Sequence, residues 1–167
     1  MAMIRDPVAD PGFGDGACVG GDFLRLSVAL TGFGAEELAA TGMADSYRTT
    51  VLQQIGGVNL GLLLAGLAEA DGDPAALADP ALLEAARAVC GLWYLGVWPG
   101  LSDEACRSLG LTGGQLPVRP SAEAYAQGLI WQAMGSHAPG TGGPGFGSWA
   151  DPPPRPGRRA AAQGAPA

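Results

Sequence analysis

The chain predicts an all-α protein, a compact bundle of about five helices with an extended Gly/Pro-rich aromatic C-terminal tail. Three observations carry that expectation. Apolar residues through the middle of the chain recur at helical spacing, with no period-2 alternation anywhere. The 28 glycines and 14 prolines, about a quarter of the 167 residues, crowd toward the two ends. The chain is 47% apolar, enough to close a core in a single domain of this length. The expected division is a flexible arm over 1–21, a helical domain over 22–134, an extended partner-docking tail over 135–153 and a disordered C-terminus over 154–167.

The central element is Asp79–Trp98, DPALLEAARAVCGLWYLGVW. Leu82, Ala86, Val89, Cys90, Trp93 and Val97 share one helical face. Asp79 suits an N-cap, and Pro80 suits the first helical position, where a missing N–H is harmless. Glu84 and Arg87 lie three apart on the wetter face. Pro99-Gly100 supplies the stop.

Before this helix, Asp22 caps DFLRLSVAL, with Phe23, Leu26 and Leu30 as its apolar stripe and Thr31-Gly32 as its end. Glu36 and Glu37 suit a helix start, Gly42 breaks that stretch, and Met43, Tyr47, Leu52 (or Val51) and Ile55 continue it at near-helical spacing. Gly56-Gly57 reads as a turn, and Asn59–Ala70 as a helix despite Gly61 and Gly66. Asp71–Pro74 is a turn leading into a single helical turn over Pro74–Ala78. After Pro99-Gly100, Ser102-Asp103-Glu104 opens a short helix ending at Gly110, and Thr112–Pro120 is loop. Ser121 and Glu123 open a last helix, SAEAYAQGLIWQAM.

Charge excludes one class of partner. The formal charge is −7, the pI is near 4.4, and the nine cations are all arginine, so no nucleic-acid surface is expected. No run of apolar residues reaches the roughly 18 that a membrane span needs. The N-terminus as written has no basic region, apolar core or twin arginine, so no export signal is read there. Cys18, Cys90 and Cys106 are widely spaced and odd in number, so no disulfide framework can be read.

Catalytic groups are scarce. His137 is the sole histidine, and its neighbour Ser136 is adjacent in sequence, which does not bring a nucleophile and a base together in space. The three cysteines and His137 lack the CxxC spacing of a zinc site. Gly140–Gly145 matches G-x-G-x-x-G, but neither a strand before it nor a helix after it follows from the sequence, and Pro144 removes a donor. No catalytic, cofactor-binding or metal-binding residues are assigned. What stands out instead is the tail segment PGFGSWADPPP, where Phe146 and Trp149 sit in backbone that cannot fold alone, and rings of this kind are effective anchors in a partner's pockets.

Four stretches in order then resemble a known family, the small subunit of bacterial membrane-associated FAD-dependent sugar and alcohol dehydrogenase complexes of the sorbitol, fructose and glucose dehydrogenase type. They are Asp22–Phe33 (DFLRLSVALTGF), Leu92–Val97 (LWYLGV), Tyr125–Trp131 (YAQGLIW) and Pro144–Pro153 (PGFGSWADPP), spanning residues 22–153. The resemblance implies a chaperone-like accessory that is not itself the enzyme. It would bind and mature a large FAD-containing flavoprotein of the glucose–methanol–choline kind, often joined by a haem c subunit. It further implies partner-binding roles for Phe146, Trp149 and Pro152 in the tail, with Trp93, Tyr94, Tyr125 and Trp131 shaping the core or the docking face. No cofactor is expected in this chain, FAD being the partner's. A periplasmic or membrane-associated complex is implied, while the sequence as written also allows a cytoplasmic one. Where some members carry a tail cysteine, Ser136–Pro139 has none, so no inter-subunit disulfide is expected there. Taken without the resemblance, the residues equally fit a stand-alone helical interaction or small-ligand-binding domain.

Overall fold

A computed structural model describes residues 16–141. Among them the chain is helical, without a β-strand: α1 (Gly16–Thr31), α2 (Ala35–Ala40), α3 (Ala44–Glu69), a 3-10 turn (Pro74–Ala76), α4 (Pro80–Leu95), α5 (Asp103–Ser108), α6 (Glu123–Ala126) and α7 (Leu129–Ala133). The all-α expectation holds.

α4 is the hub. It packs against α1, α3, α5 and α7 as well as the 3-10 turn. Its sequence explains why it can. Ala81, Ala85, Ala86 and Ala88 are buried beside Val89, Leu92 and Trp93, so small side chains let neighbouring helices approach while the larger ones fill the gaps. Asp79 caps it as expected, accepting from the backbone N–H of Ala81 at 2.8 Å and of Leu82 at 3.4 Å. Ser102 caps α5 in the same way, accepting from the N–H of Ala105. Glu84, expected on the wetter face three residues from Arg87, accepts from both the backbone N–H and the hydroxyl of Ser102 and ties α5 to α4.

Four elements differ from the sequence reading. α1 begins at Gly16, six residues before Asp22. Asp22 therefore pairs with Arg25 within the helix rather than capping it. Extending a packed helix is far easier than nucleating one, which is how it runs through Gly20 and Gly21. α4 ends at Gly96, not at Pro99, and Trp98 lies beyond the helix in an antiparallel bridge to Val118. The final helix is two short ones, α6 and α7, parted at Gln127-Gly128.

The fourth difference is Gly56-Gly57, which is a kink inside α3 rather than a turn. Gly56 has φ 76° and ψ 164°, a region essentially restricted to glycine. Side-chain amides enter the helix at this point, as at other sharp bends. Gln115 Nε2 donates to the Gln54 carbonyl at 2.6 Å, and Asn59 Nδ2 donates to the Ile55 carbonyl at 2.8 Å and to Leu109 at 3.0 Å. By length and composition alone α3 could cross a bilayer. In this fold its Tyr47, Val51, Ile55, Leu60, Leu63 and Leu67 are buried in the core.

Candidate functional site

The first three of the four stretches converge. Trp93 of α4 is fully buried, and its indole N–H donates to the Ser27 hydroxyl of α1 at 2.9 Å. That hydroxyl in turn donates to the Phe23 carbonyl at 2.8 Å. Tyr94 is half-buried; its hydroxyl donates to the Thr31 carbonyl at 3.0 Å and its ring meets Phe33 edge-on with centroids 6.1 Å apart. Trp93 also meets Tyr47 edge-on at 4.8 Å. Burial pushes the Tyr47 phenol up to about 12. Cys90, one turn before Tyr94, donates from Sγ to the Leu30 carbonyl at 3.1 Å, and burial raises its thiol as well.

α6 and α7 join this arrangement through two glycines. Gly96 adopts φ 67°, and a Cβ there would fall 2.2 Å from the Ala124 carbonyl oxygen. A Cβ at Gly128 would fall 2.7 Å from the Tyr94 carbonyl oxygen. Backbone thus lies directly on backbone where α4 ends and α6–α7 begin, and only glycine permits it. The interlock presents Tyr125 and Trp131, an edge-on pair with centroids 5.4 Å apart. Trp131 Nε1 donates to the Tyr125 carbonyl at 2.8 Å, and the Arg119 guanidinium lies 5.8 Å over the Tyr125 ring. Both rings are half-buried, so each keeps a face for contact. Leu95, closing α4, and Met134, following α7, are 57% and 66% exposed.

The seven residues named from the sequence therefore divide. Trp93 is fully buried and takes the first of the two roles left open for it, in the core rather than on a docking face. Tyr94 is tied to α1 at its hydroxyl. Tyr125 and Trp131 form the accessible aromatic pair. Phe146, Trp149 and Pro152 lie outside the described residues. Sequence reasoning missed Arg119, Leu95 and Met134; an arginine six residues before a tyrosine carries no readable signal, since their stacking depends on the path of the intervening loop. Among the described residues no group of three or more His, Cys, Asp or Glu is placed to hold a metal. What the arrangement offers chemically is recognition of apolar and aromatic surface. No family model, curated protein or solved structure matches the chain.

Proposed function

We propose that this chain is a non-catalytic accessory subunit that binds and matures the large FAD-containing subunit of a sugar, polyol or alcohol dehydrogenase complex, periplasmic or membrane-associated, in some cases with a haem c subunit. The ordered set of four stretches carries the reading. The mutual packing of the first three supports it: α1, the end of α4 and α6–α7 meet through Trp93–Ser27, Tyr94–Thr31 and the Gly96–Ala124 and Gly128–Tyr94 approaches. Motif stretches that serve only composition have no reason to be one another's partners. In this reading Tyr125 and Trp131 supply the folded part of the docking face, and Phe146 and Trp149, with Pro152 stiffening the segment, supply its anchors. FAD, the substrate pocket and the redox chemistry belong to the partner.

The test is co-expression with a large FAD-containing dehydrogenase subunit of the glucose–methanol–choline kind, followed by pull-down of wild type and of the double variant Phe146→Ala/Trp149→Ala. The expected result is a stable complex that the double variant loses. A complex that survives the substitutions keeps the role and moves the interface to Tyr125 and Trp131. Stoichiometric flavin co-purifying with the chain expressed alone would overturn the accessory role, and the absence of any complex would favour a stand-alone interaction domain.

A further inference from the structure

Past the Gly56 kink, α3 carries an apolar face that no other element among the described residues covers. Val58 is 79% exposed and Leu62 is 51% exposed, and Gly61 and Ala65 lie on the same stripe, also exposed. No charged residue occurs between Arg48 and Glu69. The stripe borders a groove of about 460 Å³ between α1 and α3, lined by Leu26 and by Leu64, Ala65, Leu67 and Ala68. The apolar walls have an acidic surround. Glu69 and Asp71, between the lining residues Ala68 and Gly72, and Asp73, next to Gly72, are exposed, and Asp22 stands on the opposite wall. Arg25, the cation on that wall, is already paired with Asp22. None of Glu69, Asp71 or Asp73 forms an ion pair among the described residues, so the chain segment that carries the groove-lining Ala68 and Gly72 bears three carboxylates without a described cationic partner, one of them, Asp73, also accepting from the Ala75 N–H.

We infer that the α1–α3 groove and the adjoining face of α3 are a docking surface for a basic amphipathic helix of another protein. Two features select that occupant. A stripe of small and branched residues beside a groove accepts apolar side chains recurring at i, i+3, i+4 and i+7. The carboxylate surround attracts arginine or lysine flanking that stripe and repels an acidic partner, including a second copy of this chain, whose charge is −7. An anionic lipid surface is disfavoured on the same ground. The surface involves none of the tail residues, so it stands independently of the flavoprotein reading.

The test uses the full chain and a labelled synthetic helix of about 15 residues with leucines at i, i+3, i+4 and i+7 and arginines flanking them, followed by fluorescence anisotropy. Binding is expected, weakening as salt rises. Leu62→Asp is expected to raise the Kd at least about tenfold, and Glu69→Gln/Asp71→Asn severalfold. Val58→Asp, at the more exposed position, gives a second variant should Leu62→Asp perturb the helical circular dichroism. Absence of binding overturns the inference. So does equal binding of a scrambled peptide of the same composition, which would reduce the effect to bulk charge, or a Kd indifferent to both α3 variants. A concentration-dependent dimer in sedimentation that Leu62→Asp dissolves would assign the face to a second copy and overturn it equally.

Discussion

Trp93 and Ser27 lie 66 residues apart in sequence, yet the indole N–H of one donates to the hydroxyl of the other at 2.9 Å in a fully buried setting. The hydroxyl donates in turn to the Phe23 carbonyl, so both the indole N–H and the Ser27 hydroxyl are satisfied in the core. Ser27→Ala leaves the indole N–H without its acceptor, and a loss of about 1–3 kcal/mol is expected in urea unfolding. The double variant Ser27→Ala/Trp93→Phe is expected to lose less than the sum of the two single losses, because the donor that was stranded is gone. A double-mutant cycle checks this.

The contact of α4 with α6–α7 is expected to be the most sterically unforgiving in the molecule. Gly128→Ala would drive a Cβ to 2.7 Å from the Tyr94 carbonyl oxygen, and Gly96→Ala would add a left-handed backbone to an even closer approach. Each is expected to cost at least about 2 kcal/mol. In the same denaturation series Gly110→Ala, also at positive φ but with open space around it, is expected to cost only the backbone term of about 1 kcal/mol. A Gly128→Ala loss no larger than that of Gly110→Ala would refute the interlock.

Tyr47 gives the fold a pH limit on the alkaline side. Burial holds its phenol at about 12, above its usual value of 10.0. A group whose folded value is raised contributes its full stability below the unfolded value and loses it as pH climbs toward the folded one. Stability is therefore expected to be insensitive to Tyr47 up to about pH 10 and to fall by roughly 2–3 kcal/mol between about pH 10 and 12. Tyr47→Phe removes that slope. At neutral pH it is expected to cost little, because the hydroxyl's bond to the Ala124 carbonyl is long, at 3.4 Å. Urea unfolding at a series of pH values measures both.

Gln115 is expected to matter more than a half-buried loop glutamine ordinarily would. Its amide donates to the Gln54 carbonyl at the α3 kink and accepts from the Trp98 indole at 3.0 Å. Gln115→Ala strands both groups, with an expected loss of about 1–3 kcal/mol. Hydrogen exchange should rise at the Trp98–Val118 bridge, whose two backbone bonds are 2.8 and 2.9 Å. Exchange there that matches wild type would show the bridge standing without the amide.

Features written in adjacent residues were legible in the sequence. Asp79-Pro80 marks the start of α4 because a capping carboxylate and an N1 proline act on their own turn. Ser102 and Gly42 are equally local. The far end of α4 was not legible in this way. Pro99 looked like the stop, but Gly96 ends the helix, because Ala124, 28 residues later, requires backbone without a Cβ there. Gly128 divides the last helix for the same kind of reason, with Tyr94 as the distant cause. Gly56 was visible as a breaker, but whether it turns or merely kinks the chain depends on Asn59 and on Gln115, the latter supplied from beyond α5. Within the candidate site, aromatic density near Trp93 was plain, yet core and surface rings look alike in sequence. Only the packing of α1 over Trp93 separates it from Tyr125 and Trp131.

The pairing of Ser27 with Trp93 also sets a schedule for synthesis. α1 leaves the ribosome complete with its apolar residues, while the helix that will cover them has yet to be translated. At roughly 5–20 residues per second, the 66 residues of synthesis that separate Ser27 from Trp93 take on the order of 3–13 s. Over that interval α2 and then α3 become available for Phe23, Leu26 and Ser27 to pack against, but not α4, the hub of the domain. The nascent N-terminal half is thus the part of this protein most dependent on being shielded, and the arrival of Trp93 is the event that closes it.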